Sequence, residues 1–427
     1  MDTKHTDTLV ELFDPDTHIY NALGVMLLRP RRAVFIVPEH ASAVYNKYKP
    51  AYRRLWERRG CTPEETVFVP TATSDIMELA DIISQFSGDG AVLDIEGGTP
   101  ELYLAAGYVY GRDPGGFSCI RIDFADSKIT EYSANGSGTE TTVRQFTTEE
   151  RSRVALSVYE CIAIYGGQID RNTISELRSR GMTEDEIAAD TALVWRAMLR
   201  RSRKTWNDII PERIHTKNER SLDVYVNGNE AQIRAVSNLI SDLVQTGALI
   251  PNGGDPTRRR YRCKSPAVMA CLRKAGELLE LYVNSVASSV SDSGAICGVS
   301  LSFDGEEGSS DNEIDCIFTV GSTPVFISCK NGRVGSEELY KFAAVTRQFG
   351  GEERIAILVA PSLGGGDDAL SQQKIKSVRE RAELYGIRII TDIYDITRSE
   401  AASELCRVIS EKRMKKHVSH AKTDKNS

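Results

Sequence analysis

The chain has 427 residues, of which 41% are hydrophobic and 26% charged, and it carries a formal net charge of -7 at pH 7. This length exceeds one ordinary hydrophobic core and predicts two or three domains, while the negative charge argues against a protein that simply coats nucleic acid. No long apolar run or secretory signal is visible and the nine cysteines form no CxxC pair, so we expect a cytoplasmic protein without a membrane span or a zinc cage.

Residues 1–148 alternate short apolar segments with amphipathic ones. Strands are predicted at 33–37, 66–69, 91–95, 117–124 and 128–132. Helices are predicted at 19–27, 51–59, 75–86 and 101–110. Alternating strands and helices are typical of a doubly wound, mostly parallel sheet.

Residues 149–265 are mostly helical, with helices predicted at 154–165, 174–180, 185–199 and 230–246. A short strand, the Gly253-Gly254 turn and a strand at 258–263 follow the last helix, which is the outline of a winged helix. That shape can bind DNA but is also a common connector, and we favour a connector because no base-reading residues can be identified. The second strand is basic, and local basic patches can bind phosphates. Its cations are Arg258, Arg259, Arg260, Arg262 and Lys264.

Residues 266–410 predict a mixed α/β domain with a core of its own. Strands are predicted at 296–303, 313–320, 324–329, 355–359 and 387–390. Helices are predicted through 278–282, at 337–349 and at 371–385. Residues 411–427 are basic and lack apolar periodicity, so we expect a disordered tail.

Asp315 and Lys330 form the sharpest chemical signal in the sequence. Asp315 lies on one predicted strand, a turn at 321–324 reverses the chain, and the next strand ends at Lys330. Such a hairpin places Asp315 near residues 328–330. Phosphodiester hydrolysis needs a divalent cation, which a carboxylate holds, often with a backbone carbonyl beside it. A lysine beside the metal can orient or deprotonate the attacking water and stabilise the charged transition state.

This arrangement resembles the PD-(D/E)xK nuclease fold, in which a carboxylate on one strand is followed by an acid-x-lysine on the next. The resemblance implies that a glutamate on the preceding helix completes the site, and Glu280 fits that role, with Glu277 one turn earlier as a rival. It also implies that Glu280, Asp315 and Cys329 hold the metal.

Ser328 departs from this pattern, because it stands where the family usually has Asp or Glu. The serine could act through its hydroxyl or a bridging water, or Glu313 or Asp311 could take the place of the acid. We therefore expect a catalytic set of Glu280, Asp315, Ser328 and Lys330. The departure at Ser328 also leaves open the alternative that the nuclease domain is inactive.

The second signal is the turn Gly97-Gly98-Thr99, between a predicted buried strand and a helix. The glycines let a ligand approach the backbone, Thr99 offers a hydroxyl, and the helix N-terminus attracts anions. Ligands of a doubly wound sheet bind beyond the carboxyl ends of its strands. Four further candidate ligand-binding residues fall at that edge: Asp14, His18, Thr73 and Ser74. Neither GxGxxG after the first strand nor GxxxxGK[ST] is present, so dinucleotide and P-loop binding are not indicated.

Together these signals resemble the CRISPR ancillary nucleases of type III immunity, which join a CRISPR-associated Rossmann fold (CARF) sensor domain to a PD-(D/E)xK-like nuclease domain. The resemblance rests on the order and spacing of Phe13-Asp14-Pro15, Tyr20-Asn21, Arg29-Pro30, Gly97-Gly98-Thr99, Leu279-Glu280, Tyr282-Val283, 312–315 and 327–330. It implies an α/β protein with three parts. These are a Rossmann-like CARF domain at 1–148, a helical or winged-helix-like connector at 149–265 and a restriction-endonuclease-like domain at 266–410.

The resemblance also implies a function. A homodimer of sensor domains would bind cyclic oligoadenylate, most often cyclic tetra-adenylate, and binding would reposition the nuclease domains. These would cut DNA or RNA without sequence specificity, using Mg²⁺ or Mn²⁺. The alternative is a ligand-responsive DNA-binding regulator with a degenerate nuclease domain, which Ser328 favours and which Asp315, Lys330 and Glu280 oppose.

Overall fold

The structure, a computed structural model, describes residues 6–135, 138–201, 203–303, 312–332, 334–361, 363 and 369–423. The chain forms two compact units. The first comprises Met1–Gly167 together with Gly321–Thr323 and Arg347–Glu353. The second comprises Gln168–Val320, Pro324–Thr346 and Arg354–Ser427. The predicted connector, 149–265, is therefore divided between the two units, with most of it in the second.

The first unit contains seven strands and six helices in the described ranges. Its strands are β1 (Thr8–Leu12), β2 (Arg32–Pro38), β3 (Glu65–Thr71), β4 (Ala91–Asp94), β5 (Ser118–Asp123), β6 (Lys128–Asn135) and β7 (Gly138–Gln145). Its helices are α1 (Ile19–Leu28), α2 (Ser42–Arg59), α3 (Ile76–Ser84), α4 (Pro100–Arg112), α5 (Thr148–Val154) and α6 (Val158–Ile164). A 3-10 turn, Glu39–Ala41, precedes α2.

One seven-stranded sheet, in the order β3-β2-β1-β4-β5-β6-β7, organises this unit. The first five strands are parallel, whereas β6 and β7 are antiparallel additions. Alternate residues of β1 enter separate cores on the two faces of the sheet, Leu9 on one face and Val10 on the other. Helices α1 and α2 cover the first face, and α3 and α4 the second. The predicted doubly wound class is confirmed. Strand β1, which is not among the predicted strands, is the middle one of the five parallel strands.

The second unit contains the remaining elements. Its strands are β8 (Gly167–Arg171), β9 (Ile214–Asn218), β10 (Ser221–Tyr225), β11 (Leu249–Gly254), β12 (Arg258–Cys263), β13 (Ala295–Phe303), β14 (Asn312–Val320), β15 (Thr323–Cys329), β16 (Ile355–Val359) and β17 (Ile387–Ile390). Its helices are α7 (Thr173–Ser179), α8 (Glu184–Leu199), α9 (Arg203–Arg213), α10 (Glu230–Gln245), α11 (Pro266–Arg273), α12 (Glu277–Ser288), α13 (Ser336–Gly350), α14 (Ala369–Leu384) and α15 (Arg398–Thr423).

A six-stranded sheet, β17-β16-β15-β14-β13-β8, forms the core of the second unit. Strands β13 and β14 are antiparallel, whereas β15, β16 and β17 are parallel. This sheet matches the predicted strands, with β8 as an addition at its edge. The sequence does not reveal β8 because it is short and polar, as an edge strand open to water can be.

A four-stranded antiparallel sheet, β11-β12-β10-β9, extends the predicted winged-helix outline. Strands β11 and β12 are the predicted pair that follows α10. The β9–β10 hairpin was not predicted, because β9 is almost wholly exposed and lacks apolar alternation.

The C-terminal segment differs from its prediction. Helix α15 continues to Thr423, whereas disorder was expected from residue 411, and residues 424–427 lie outside the described ranges. Lysine, arginine, glutamate and alanine all have high helix propensity, so a segment without apolar periodicity can still prolong a helix that is already anchored. In the described part of the chain, no helix combines the length and apolarity needed to span a membrane.

Candidate functional site

The β14–β15 hairpin brings Asp315 to the end of β15. The carboxylate oxygen Oδ2 of Asp315 accepts a hydrogen bond from the Cys329 amide at 2.6 Å and another from the Ser328 hydroxyl at 3.0 Å. Gly321 supplies the reversal with a φ of +61°, a conformation that glycine adopts without strain. The predicted proximity of Asp315 to residues 328–330 is therefore present in the structure.

Lys330 follows directly on β15. Its amide donates to the Val359 carbonyl at 2.9 Å, which prolongs the parallel pairing with β16 and fixes the backbone at this position. The Lys330 ammonium remains partly exposed, 3.9 Å from a carboxylate oxygen of Glu338 on α13. The lysine is thus held at its backbone while its charged end can still reach a ligand.

Glu280 on α12 belongs to the same charge cluster, because α12 packs against β13 and β14. Burial, and after it the charge of Asp315, raises the pKa of Glu280 to about 8, while Lys330 acts in the opposite direction. Burial also raises the pKa of Asp315, against the influence of Lys330 and of its hydrogen bonds to Cys329 and Ser328. Two buried carboxyl groups therefore lie close enough to the Lys330 ammonium for their charges to interact, a combination that often marks function.

The rival glutamate, Glu277, has a different environment. It forms an ion pair with Arg273 one turn away on the chain, at 3.1 Å. Burial raises its pKa as well, but Arg273 is the main group that lowers it. Of the two glutamates, Glu280 is the one whose titration responds to both Asp315 and Lys330.

The candidates for the missing acid differ in position. Ser328 is buried and donates its hydroxyl hydrogen to Asp315. Glu313 lies two residues before Asp315 on β14, hence on the same face of the strand, but it is exposed and paired with Arg171 at 3.2 Å. Asp311 lies outside the described residues.

The donor atoms at this site suit a hard divalent cation. Within the described ranges, no group of three or more His, Cys, Asp or Glu side chains is arranged to hold a metal. Magnesium, however, is commonly bound through one or two carboxylates, with water and substrate phosphate completing its shell. Asp315 and Glu280 supply that number, and a cation between them would relieve their mutual repulsion.

Cys329, a predicted metal ligand, offers its main chain rather than its thiol. The thiol is buried, and burial raises its pKa well above the usual value, so the thiolate that would ligate a metal is disfavoured. The Cys329 amide faces Asp315, and the carbonyl of a strand residue points to the same side as its amide. A backbone carbonyl ligand at Cys329 is therefore compatible with this geometry.

The first unit has a pocket at the carboxyl ends of β1 and β4, where the strand order reverses direction. Such a switch point is where doubly wound sheets bind ligands. The residues that line the pocket are Glu11, Leu12, Asp14, Tyr20, Asn21, Asp94, Glu96, Gly97 and Phe124. Of the predicted ligand-binding residues, Asp14 and Gly97 thus line it directly.

The glycine turn is shaped by close backbone approach. A Cβ at Gly97 would lie 2.3 Å from the Leu12 carbonyl oxygen, and Gly98 has a φ of +110°. Thr99 caps α4, since its hydroxyl oxygen accepts the Leu102 amide at 3.4 Å. The same hydroxyl also donates to the Glu101 carboxylate, so its hydrogen is already engaged within the helix N-terminus.

Two other predicted ligand-binding residues, His18 and Thr73, make contacts within the protein. His18 is buried and stacks on Tyr48 at 3.7 Å between ring centroids, and burial lowers its pKa to about 3. Thr73 accepts the Asp75 amide just before α3, in the loop after β3. Neither these two residues nor Ser74 lines the pocket between β1 and β4.

Of the acidic residues at this pocket, Glu11 was missed as a candidate, whereas Asp94 and Glu96 directly precede the predicted glycine turn but were not named as ligands. Glu11 is 4% exposed, and neither of its carboxylate oxygens has a hydrogen-bond partner among the described residues. Burial raises the pKa of Asp94 to about 8 and that of Glu96 to about 7, although Glu96 pairs with Arg121 at 2.7 Å. The only sequence signal for Glu11 is a charge within an apolar strand segment, which reads equally well as a solvent-facing position.

Two solved structures resemble this chain over nearly its whole length. Can2 from Sulfobacillus thermosulfidooxidans, in complex with cyclic tetra-adenylate, aligns with a TM-score of 0.57 at 16% identity, covering 95% of this chain and 98% of that chain. Protein VC1899 from Vibrio cholerae aligns with a TM-score of 0.64 at 16% identity, covering 94% and 99%. No protein-family model and no curated protein matches the sequence. The likeness is one of fold, and it confirms the fold that the sequence resemblance implied.

Proposed function

We propose that this protein is a metal-dependent nuclease that a cyclic oligoadenylate activates, acting in type III CRISPR defence. The observation that carries the nuclease part is the placement of Asp315 and Lys330 at the end of one hairpin, with Glu280 of α12 near enough for its charge to interact with both. Two buried carboxyl groups and a lysine whose charges interact suit phosphodiester hydrolysis better than they suit packing.

The roles within this centre follow from the contacts. A bound Mg²⁺ or Mn²⁺ would lower the pKa of a water molecule and neutralise phosphate oxygens. Asp315 would hold the cation through Oδ1, because Oδ2 is engaged by Cys329 and Ser328. Glu280 would supply the second carboxylate in its ionised form. The Lys330 ammonium would contact the scissile phosphate and stabilise the additional negative charge of the transition state.

Ser328 fits this scheme as a positioning residue. Its hydroxyl fixes the rotation of the Asp315 carboxylate. Compared with an acid at this position, serine removes one negative charge, so we expect weaker cation binding than a site with three carboxylates would have.

For the activator, we propose the surface around the pocket between β1 and β4 of the first unit, because the pocket itself, about 10 Å³, admits only a water-sized group. Can2, whose fold this chain shares, was solved in complex with cyclic tetra-adenylate. The Gly97-Gly98 turn and the N-terminus of α4 suit phosphates. The carboxyl groups of Asp94 and Glu96 suit ribose hydroxyls or adenine amino groups, which donate hydrogen bonds. A homodimer would present this patch twice to a cyclic ligand with repeated chemistry.

The second candidate function is a ligand-responsive DNA-binding regulator with an inactive nuclease domain. Ser328 in place of the acid is the observation that favours it. The retained Asp315, Glu280 and Lys330 oppose it, because a degenerate site has no need to keep two carboxylates under mutual repulsion.

A single assay separates these functions. The wild-type protein is incubated with supercoiled plasmid, single-stranded DNA or RNA, with cyclic oligoadenylates of several ring sizes, and with Mg²⁺, Mn²⁺ or a chelator. We expect cutting only when both a divalent cation and a cyclic oligoadenylate are present, and most with the tetra-adenylate. Ligand-dependent DNA binding without cutting under any condition would instead support the regulator.

A further inference from the structure

Strand β12 carries three arginines on one face of the four-stranded sheet. Because side chains alternate along a strand, Arg258, Arg260 and Arg262 point to the same side, about 7 Å apart. The register with β10 sets Tyr225 opposite Arg258 and Asp223 opposite Arg260. This set of five residues is called the arginine face below.

The opposite side of the same sheet is apolar. Its buried residues include Leu222, Val224, Leu249, Tyr261 and Cys263. Helices α10 and α11 pack against strands of this sheet. The arginine face is therefore the outer side, and the side chains of Arg258 and Arg260 are 48% and 38% exposed.

A buried carboxylate orients two of the arginines. Asp223 accepts from Arg258 at 2.6 Å and from Arg260 at 3.3 Å, and it is 3% exposed. One carboxylate offsets only one of the three positive charges, so the face stays positive in a chain of net charge -7. Orientation by Asp223 also lowers the entropy that the two guanidinium groups lose on binding a ligand.

Aromatic rings stand beside these charges. The Arg258 guanidinium lies 5.6 Å from the centre of the Tyr225 ring, and His215 on β9 meets that ring edge to face at 5.1 Å. A row of arginines next to aromatic rings on an open sheet is a surface typical of nucleic-acid binding.

We propose that the arginine face binds the phosphate backbone of the nucleic acid that the nuclease centre cuts. The inference rests on the proposed function, since it assigns the place where that substrate is held. A row of positive charges at regular spacing complements a polymer of repeated phosphates, and backbone contact of this kind needs no base sequence. It differs from the usual expectation for a winged helix, in which the helix before the wing, here α10, enters the groove.

The test measures binding in full-length protein that carries Lys330→Ala, so that the substrate stays intact. Affinities for a labelled DNA duplex and a labelled single-stranded RNA are measured between about 50 and 200 mM salt. The variants are Arg262→Gln, which changes an exposed side chain, and the pair Arg260→Gln with Arg262→Gln. The matched control is Arg234→Gln on the exposed side of α10, where the side chain is 70% exposed.

We expect Arg262→Gln to weaken binding about tenfold near 0.1 M salt and to reduce the salt slope by about one, the loss of one phosphate contact. The double variant should lose about twice as much of the slope, and Arg234→Gln should bind like the parent. An unchanged salt slope in both variants of the arginine face would overturn the inference. A loss of binding confined to Arg234→Gln would also overturn it and would assign substrate binding to α10.

Cleavage assays with proteins that retain Lys330 distinguish failure of the arginine face from failure of the proposed function. Efficient cutting together with unchanged binding by Arg262→Gln would reject the arginine face and leave the proposed function standing. Absence of both cutting and nucleic-acid binding in the wild type would reject the proposed function itself.

Discussion

The two oxygens of the Asp315 carboxylate have different roles in the proposed centre. Oδ2 accepts hydrogen bonds from the Cys329 amide and the Ser328 hydroxyl, which orient the group. Burial raises the pKa values of both Asp315 and Glu280, and the charge of Asp315 raises that of Glu280 further, so without a cation one of the two tends to keep its proton at neutral pH. Cation binding would therefore release a proton from the pair, and both charges are needed to hold the metal.

We predict that Asp315→Asn removes Mn²⁺ binding and activity together. The amide oxygen can still accept from Cys329 and Ser328, so the hairpin should persist, but the charge that competes with water for the cation is lost. The expected loss of Mn²⁺ affinity exceeds about tenfold. Mutating a residue that only hydrogen-bonds to a metal ligand already costs about that much, and Asp315 is proposed to be the ligand itself. Isothermal titration calorimetry with Mn²⁺ measures it directly.

Glu313→Gln is the matched comparison, because this exposed acid lies two residues away on the same face of β14. It should bind Mn²⁺ like the wild type. Full Mn²⁺ affinity in Asp315→Asn would refute the assignment of Asp315. Equal losses in both variants would identify Glu313 as the acid that takes the place of the one missing at Ser328.

Among the elements, α1 contacts both the pocket between β1 and β4 and a segment that is distant in the sequence. Tyr20, in its first turn, lines the pocket and packs on Phe124 at 5.0 Å between ring centroids. The Tyr20 hydroxyl donates to the Glu353 carboxylate, and burial together with that neighbouring charge raises the pKa of Tyr20. Glu353 is in the segment that links α13 to β16, so a ligand that moves Tyr20 would act on that link.

We predict that Tyr20→Phe weakens activation while the activator still binds. Phenylalanine keeps the packing on Phe124 but removes the hydrogen bond to a charged group, which is worth about 1.5–3 kcal/mol. If that bond helps to couple pocket and centre, the ratio of activated to basal cutting should fall about tenfold. Titration with cyclic tetra-adenylate and cleavage rates with and without it give both quantities.

Tyr110→Phe serves as the control, because its hydroxyl bonds to the Tyr132 carbonyl at 2.7 Å in the same unit. Tyr110→Phe loses one partly buried hydrogen bond without affecting the bond to Glu353. The coupling role of Tyr20 would be refuted if both variants retained the wild-type activation ratio.

At the same scale, the sequence predicts elements better than it predicts contacts. Buried strands such as β2 and β16 can be predicted because a continuous run of apolar residues is stable only in the core. The Asp315 hairpin is legible because its partners are close along the chain. The burial of His18 and the Tyr20–Glu353 bond depend on residues far apart in sequence, which local periodicity cannot reveal.

At the scale of the whole molecule, the chain passes between the two compact units more than once. The β14–β15 turn, Gly321–Thr323, belongs to the first unit, and the Gly321 carbonyl accepts the Leu156 amide at 3.0 Å. That turn joins the strand of Asp315 to the strand of Ser328. A ligand that displaced Leu156 would therefore also displace the turn between the two strands of the proposed nuclease centre.

The most direct measurement of the central claim is plasmid cleavage in Mn²⁺ by wild type and Lys330→Ala, each with and without cyclic tetra-adenylate. Lys376→Ala, at a lysine side chain that is 77% exposed on α14, is the matched control. We predict rapid cutting only by activated wild type and activated control, with Lys330→Ala slower by about 10²–10³ although it still binds the activator. Cutting by Lys330→Ala at the wild-type rate would contradict the assigned centre, and equal wild-type rates with and without the ligand would contradict the switch.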